Sequence, residues 1–590
     1  MADMIARARA YAERDVDPEA KAELLALVER AEQEDAAALA DLKERFSGPM
    51  TFGTAGLRGL LGPGESRMNR VATIRTAFGV AKHLQDVDAG AQTRGIVIGR
   101  DGRRMSDVFA RDVAEVCLAQ GFRVFWIEGP APTPLLAFGV KSLNATAGIM
   151  ITASHNPPAY NGLKVYWDGG AQIVPPIDAL IAAEIDAAPF AHDIPRVAID
   201  DPSVAARLVN TNDLREEYLR AIATLAVVDD LEPDKLSVAY SAMHGVGAPL
   251  FFEAMRRRGF RRVMSVAEQE APNGDFPTLP FPNPEEPGAM DKVLALARAE
   301  KCDIALVHDP DADRLGAAAF DAAVDDYRIL TGNEIGVLLA DHLFRNDVGG
   351  ERLVVSTIVS SRLLERMAAA HEVRYAETLT GFKWIADEAQ RLQALHPVRF
   401  VLGYEEALGY SVGPIVHDKD GISAGLVLAE MAADEKHSSL GSTLFDALRR
   451  IRRRFGYYLG RQRSVTLPGI DGRRAMDVAM DRLRAVSPVL FGADAGVIST
   501  WDVATGTRIG ADGQRTEVKR LPADVLVFDL QDGGRVAVRP SGTEPKLKFY
   551  FEVVEIWPKG EDPKDTEARG AARLDRLEAS MLHAAGLKDL

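Results

Sequence analysis

At 590 residues the chain is long enough for about three to five domains with substantial cores, and its 47% apolar and 26% charged residues are ordinary for a folded globular protein. A formal net charge of -16 argues against a surface built for nucleic acid or an anionic membrane, which needs clustered Lys and Arg, yet leaves room for a locally basic cleft around a small anion. Two cysteines, Cys117 and Cys302, cannot staple such a chain and lack zinc-type neighbours, so both are expected to be buried structural thiols.

The first ten residues lack the apolar core of a secretory signal, and the longest charge-free run, residues 142–163, is broken by Asn144, His155 and two prolines. The expectation is a cytoplasmic protein with no membrane span; its oligomeric state is left open. Asp17-Pro18 is a helix start, followed by Leu24, Leu25, Val28 and Ala31 at helical spacing, so residues 1–48 are expected to form a peripheral helical extension. After Gly48-Pro49 strands and helices alternate. Residues 95–99, 122–127 and 147–152 read as strands, with a helix capped by Ser106, and the last strand runs into Ser154-His155-Asn156. Residues 236–240, 263–266 and 304–307 repeat the pattern around a helix at 248–258, ending in Asp309-Pro310-Asp311-Ala312-Asp313. Residues 353–357, 373–377 and 400–402 repeat it around a helix at 362–370, ending in Gly403-Tyr404-Glu405-Glu406. Strands at 524–529, 535–538 and 546–554 and a charged helix at 565–585 follow. Ligands of open α/β sheets bind outside the carboxyl ends of strands, so three such units could turn three unusual loops toward one cleft.

Ser154, in Thr152-Ala153-Ser154-His155-Asn156-Pro157, could be a nucleophile or merely open a turn, and no G-x-S-x-G elbow supports hydrolase chemistry. Lys164, in Asn161-Gly162-Leu163-Lys164, could be a surface lysine, or could hold phosphate or relay a proton. Asp309, Asp311 and Asp313 alternate along an extended loop and could converge on one hard cation; Arg314 and Phe320 stand where an EF-hand needs glycine and glutamate. Glu405 and Glu406 could bind sugar hydroxyls or lie in an ordinary loop. Arg539-Pro540-Ser541-Gly542-Thr543 could cradle phosphate or form a polar turn. Arg58, in Gly53-Thr54-Ala55-Gly56-Leu57-Arg58-Gly59, could reach a phosphate or serve a structural ion pair. No G-x-x-x-x-G-K-[ST] loop occurs. A serine, a metal loop and phosphate-binding groups without that loop suggest phosphoryl exchange between serine and a small molecule.

Together these motifs, in this order from about residue 50 to about residue 555, resemble the α-D-phosphohexomutase superfamily, the phosphoglucomutases and phosphomannomutases. The resemblance implies an α/β protein of four domains around a central cleft: three mixed α/β domains and a smaller C-terminal α+β phosphate-binding domain. Boundaries are expected at 49–210, 211–325, 326–455 and 456–590, after the helical extension 1–48. It implies that Ser154 carries a phosphoryl group and that Asp309, Asp311 and Asp313, with the phosphoserine, hold Mg2+. Arg58, His155, Lys164 and Arg314 would assist catalysis. Lys383 would help position substrate, and Glu405, with Glu406 beside it, would contact the sugar. Arg539, Ser541, Gly542 and Thr543 would clamp the phosphate that is not transferred. The implied reaction is intramolecular phosphoryl transfer on a sugar phosphate through a sugar 1,6-bisphosphate, of the glucose 1,6-bisphosphate type, which also serves as activator. The family's G-E-x-S sugar loop is altered: Tyr404 replaces the leading glycine and Ala407 the serine. With Asp418-Lys419-Asp420-Gly421, this resembles the branch that includes phosphopentomutases and some bacterial phosphoglucomutases. Glucose 1-phosphate is the leading substrate, mannose and pentose phosphates the alternatives. A phosphatase that hydrolyses the phosphoserine, or a non-catalytic sugar-phosphate-binding protein, is the remoter reading.

Overall fold

The computed structural model describes residues 2–51, 56–438, 441–467, 470–485, 496–518, 522–541 and 546–587. They divide into two compact units, one of Met1–Ile335 with Gly381–Thr443, the other of Gly336–Thr380 with Leu444–Leu590.

The first unit begins with three helices, Ala2–Glu13, Pro18–Glu32 and Ala36–Arg45. The Asp17 carboxylate caps the second by accepting the N–H groups of Glu19 and Ala20, and Asp35 caps the third in the same way. Their apolar stripe, including Tyr11, Leu24, Val28 and Leu42, joins the core beneath the first sheet, so this extension is part of that core and not peripheral as its sequence suggested.

That sheet has six strands in the order Leu57–Leu60, Tyr160–Tyr166, Ala147–Ile151, Ile96–Arg100, Val124–Trp126, Leu208–Asn210. Ile96–Arg100 pairs in parallel with both neighbours. Its run of β-branched residues is covered on both faces, as parallel strands require. Tyr160–Tyr166 runs antiparallel to Ala147–Ile151, with Met150 opposite Lys164. Lys164, read in the sequence only as a residue downstream of the serine, is therefore held on a strand.

The second sheet has five strands in the order Asp326–Leu330, Leu315–Asp321, Ile304–His308, Ser237–Ser241, Arg262–Ser265. Ile304–His308 is fully buried and parallel to Ser237–Ser241. The remainder of this unit holds the antiparallel pair Arg399–Glu405 and Gly409–Val412, with the helices Phe382–Leu395 and Gly421–Ser438.

In the second unit Arg352–Thr357 and Arg374–Thr378 pair in parallel around the helix Leu363–Ala370. A seven-stranded antiparallel sheet follows, in the order Tyr457–Thr466, Lys546–Glu555, Arg535–Pro540, Leu526–Leu530, Val497–Asp502, Thr507–Gly510, Arg515–Glu517. Leu526, Phe528, Val536, Val538, Leu547, Phe549 and Phe551 alternate inward under the helices Ile470–Ala485 and Pro563–Ala585. Cys117 and Cys302 are both buried free thiols. Among the described residues no helix is long and apolar enough to cross a membrane.

Candidate active site

The strand Ala147–Ile151 is followed by Thr152, whose Oγ1 accepts the Ser154 N–H at 2.8 Å and bends the chain. Ser154 lies in the left-handed region at φ 51°, a conformation costly for a residue with a side chain and one that clusters at functional sites. Arg103 holds this turn: its guanidinium donates to the carbonyls of Ser154 and Asn156 at 2.5 and 2.6 Å, and to those of Pro157 and Tyr160 at 3.1 and 3.3 Å. It stacks on Phe276 at 4.9 Å, and its own N–H is anchored on Asp101. The Ser154 hydroxyl is thereby buried 3.0 Å from Asp309 Oδ2 and 3.1 Å from His155 Nδ1.

Asp309 directly follows the strand Ile304–His308. Beneath it, His308 Nδ1 meets the Tyr240 hydroxyl and Nε2 meets the Gly421 carbonyl, both at 2.9 Å. The loop turns through Ala312 at φ 56° and returns the Arg314 N–H to Asp309 Oδ1 at 3.1 Å. A Cβ at Gly245 would lie 2.4 Å from Pro310 Cα, so this close backing of the loop needs glycine there. Asp309, Asp311 and Asp313 are all buried, with a carboxylate oxygen from each within 4.8 Å of the others. Lys164 Nζ donates to Asp311 Oδ2 at 2.8 Å and to Asp313 Oδ2 at 2.6 Å, and the Thr133 hydroxyl donates to Asp311 Oδ2 at 2.6 Å.

Burial opposes charge on all three aspartates. It combines with the neighbouring carboxylates to push Asp309 well above the carboxylate range. At Asp311 and Asp313 burial is outweighed by nearby cations, chiefly the Lys164 ammonium with Lys419 added at Asp313, and both fall below that range. The same pairing outweighs burial at Lys164 and raises it. Burial, with Arg314 and Arg58 nearby, drives His155 well below the usual imidazole range, so it is neutral. Asp311 Oδ1 and Asp313 Oδ1 are buried without a hydrogen-bond partner. Unpaired carboxylate oxygens in a closely spaced all-oxygen set suit a hard divalent cation.

Arg58, on the strand Leu57–Leu60, donates from Nη1 to Asn156 Oδ1 at 3.2 Å, so it reaches the serine turn; burial disfavours its charge while the three aspartates support it. Arg314 reaches Glu285 at 3.3 Å, and its charge, opposed by burial, is sustained by Glu285, Asp309 and Asp313. Glu405 closes its strand and is pushed up to about 7 by burial. Glu406 follows in the turn. Arg314 and Gly409 form a backbone bridge and the Leu315 N–H donates to Leu408 O at 3.1 Å, which joins the aspartate loop to the glutamate loop. Lys383, half-buried, extends its ammonium 5.3 Å from the Trp384 ring centroid, and its neighbour Phe382 packs against Lys419.

In the second unit, Arg539 Nη2 donates to the Tyr550 hydroxyl at 3.3 Å and the Ser541 N–H to Lys546 O at 2.8 Å. Gly542 and Thr543 lie outside the described residues.

Three residues emerge only in three dimensions. Lys419 Nζ is 3.3 Å from Asp313 Oδ2, and a Cβ at Gly409 would lie 2.4 Å from Lys419 Cδ and 2.9 Å from Glu405 Cγ. Asp418 accepts Tyr166 and Gln172 at 2.7 Å each, while Asp420 accepts Tyr218 and the N–H groups of Ile422 and Ser423. The lysine between them is thus pinned on both sides. Its signal in the sequence was the Asp-Lys-Asp-Gly run, read there only as a mark of a branch. Arg103 and Thr133 had no chemical signal, since an arginine in a loop and a threonine before proline are ordinary.

Four family models match the chain in order: the phosphoglucomutase/phosphomannomutase α/β/α domains I, II and III over residues 49–192, 216–321 and 331–450, and the C-terminal domain over 501–555. A probable phosphomannomutase of Haemophilus influenzae is 37% identical over 510 residues, covering 85% of this chain and 95% of its own. A probable phosphoribomutase of Schizosaccharomyces pombe is 37% identical over 87% of this chain and 88% of its own. A phosphoglucomutase of Staphylococcus epidermidis is 33% identical over 87% and 92%. The crystal structure of pp63/parafusin, a phosphoglucomutase from Paramecium, superposes with a TM-score of 0.69 at 18% identity, covering 91% of this chain and 95% of that one, and shares the fold. Four matched domains and relatives aligned over nearly their whole length leave one assignment for a chain whose serine turn and aspartate loop meet in this way: it belongs to the phosphoglucomutase/phosphomannomutase family, the phosphosugar mutases of the α-D-phosphohexomutase superfamily.

Proposed function

We propose that the protein interconverts glucose 1-phosphate and glucose 6-phosphate through a phosphoserine at Ser154, with Mg2+ as cofactor and glucose 1,6-bisphosphate as intermediate and activator. The observation that carries this reading is the buried meeting of Ser154 Oγ with Asp309 and of Lys164 with Asp311 and Asp313. Asp309, Asp311 and Asp313 would hold the cation, which supplies neutralisation of phosphoryl charge.

The chain's own groups do the rest. Phosphoserine 154 gives its phosphoryl group to the free hydroxyl of a sugar monophosphate: the Ser154 O–P bond breaks, a sugar O–P bond forms, and the proton lost by the sugar hydroxyl is balanced by the proton gained by the departing serine oxygen. The bisphosphate turns around and its other phosphoryl group passes to Ser154: that sugar O–P bond breaks, the serine O–P bond forms again, and the serine proton ends on the freed sugar oxygen. The neutral imidazole of His155, 3.1 Å from Ser154 Oγ, is placed to take the serine proton on that return and to give it back. Lys164, kept charged by its two aspartates, serves as fixed positive charge. Arg58 and Arg314 add to that field beside the serine turn and the aspartate loop. Glu405 and Glu406 accept sugar hydroxyls and Lys383 helps to position the substrate. Arg539, Ser541, Gly542 and Thr543 are assigned to the phosphate that stays on the sugar. Exclusion of water keeps the phosphoryl group from hydrolysis.

Glucose is favoured by relatives named phosphoglucomutase; mannose and ribose phosphates are the second reading, favoured by relatives named phosphomannomutase and phosphoribomutase at 37% identity. Conversion of glucose 1-phosphate, mannose 1-phosphate and ribose 1-phosphate, with Mg2+ and a trace of the matching bisphosphate, tests both beside Ser154→Ala. Conversion of glucose 1-phosphate that is lost in the variant supports the proposal. Conversion of only another sugar phosphate overturns glucose, and full turnover by Ser154→Ala overturns the phosphoserine mechanism.

A further inference from the structure

The aspartate loop is completed by a residue from another sheet's surroundings. Thr133 opens the helix Thr133–Ser142 and touches Asp311 twice: its N–H donates to the Asp311 carbonyl at 2.9 Å and its hydroxyl to Oδ2 at 2.6 Å. Lys164 donates to the same oxygen at 2.8 Å. Thr133, Lys164 and Asp311 are all buried. One oxygen of Asp311 is therefore engaged by two donors, while Oδ1 is buried without a partner. Calcium takes six to eight oxygens and readily uses both oxygens of one carboxylate, whereas magnesium requires a near-octahedral set of six at short range.

We propose that Thr133 determines cation specificity: as the second donor to Asp311 Oδ2 beside Lys164 it fills that oxygen's remaining acceptor capacity, limits this aspartate to a single ligand oxygen and so favours Mg2+ over Ca2+. Lys164 holds the same oxygen but also supplies charge to the site. Thr133 is neutral and acts as a positioning residue, by geometry. The inference rests on the reading of the three aspartates as a magnesium site.

The test is isothermal titration of Mg2+ and, separately, Ca2+ into EDTA-treated full-length protein, for the wild type, Thr133→Val and Thr133→Ser. Thr133→Val, which removes the hydroxyl and keeps the shape, should move the ratio of the two affinities about tenfold toward Ca2+. Thr133→Ser, which keeps the hydroxyl, should retain the wild-type ratio. Thermal unfolding in EDTA checks that each variant is folded, and Thr133→Ala carries the same test if the valine variant is not. A ratio within about twofold of wild type in a folded variant without the hydroxyl overturns the role of Thr133. A wild type that binds neither cation overturns the metal-site reading itself, and the proposal with it.

Discussion

Ser154 and Asp309, 155 positions apart in the chain, share a buried hydrogen bond of 3.0 Å. The strands that carry them belong to different sheets, so the bond joins two α/β layers at the ends of their strands. Its surroundings concentrate three carboxylates with one bridging ammonium, Lys164.

Lys164→Met should therefore be costly when no cation can replace the ammonium. Removing one partner of a buried ion pair costs about 3–5 kcal/mol, because the remaining charges are left uncompensated. Thermal unfolding in EDTA should show a markedly lower midpoint for the variant, and millimolar Mg2+ should recover much of the loss. Equal midpoints in EDTA for the variant and wild type would contradict the bridging role.

Arg103 supports the strained serine turn through four carbonyls. Arg103→Lys keeps the charge but not the fork of donors. A displacement of about 1 Å at a reacting group can cost about 10²-fold in rate. Turnover should fall by about that factor with KM nearly unchanged, and Ser154 should be phosphorylated more slowly by the sugar bisphosphate. Normal phosphorylation kinetics would show that the clamp does not position the nucleophile.

Glu405 is held at about 7 by burial, above its ordinary 4.5. Above pH 7 it is ionised and, in the proposed role, can accept sugar hydroxyls; below pH 7 it is protonated and loses acceptor strength. KM for the sugar phosphate should rise as pH falls from 8 to 6, and Glu405→Gln should remove that dependence. The folded state keeps a proton that the unfolded chain releases above about 4.5, so the stabilisation linked to this group is lost as pH rises through about 7. A variant with an unchanged pH profile of KM would separate Glu405 from substrate binding.

His417 is pushed down to about 4, chiefly by burial and then by Lys141, although the Gly169 carbonyl accepts from its Nδ1 at 2.8 Å. Lys141 Nζ lies 3.3 Å from the other ring nitrogen, which fixes the neutral form. Because the unfolded imidazole protonates near 6.5, stability linked to His417 is present above that pH and lost as pH falls toward 4. The full loss is about 2–3 kcal/mol after allowance for partial exposure. Urea unfolding at pH 7.5 and 4.5 should show a smaller drop for His417→Gln than for wild type. An equal drop would place the acid sensitivity elsewhere.

Much of this site was legible because its residues sit where buried strands end. Periodicity locates such strands, and an unusual loop just beyond one, as at Ser154 or Asp309, stands out against ordinary turns. The capped helix at Asp17-Pro18 was legible for a similar reason, since a cap is a local arrangement. Lys164 was less legible: nothing local marks the antiparallel strand Tyr160–Tyr166 that turns its ammonium into the aspartates. The difference in charge between Lys164 and His155 also waited on packing, because burial disfavours the charged form of His155 while two carboxylates keep Lys164 charged.

The sequence by itself determined the order of the chemical loops, the repeated α/β pattern and the family. Each is encoded by residues close together in the chain, through strand ends, caps and motif spacing. Only the tertiary structure decided that Thr133 and Lys164 share one oxygen of Asp311, that Arg103 clamps the serine turn and that Lys419 stands beside Asp313. Those relations join residues tens to hundreds of positions apart, and their energetics come from burial and convergence of charge, which exist only once the sheets have packed.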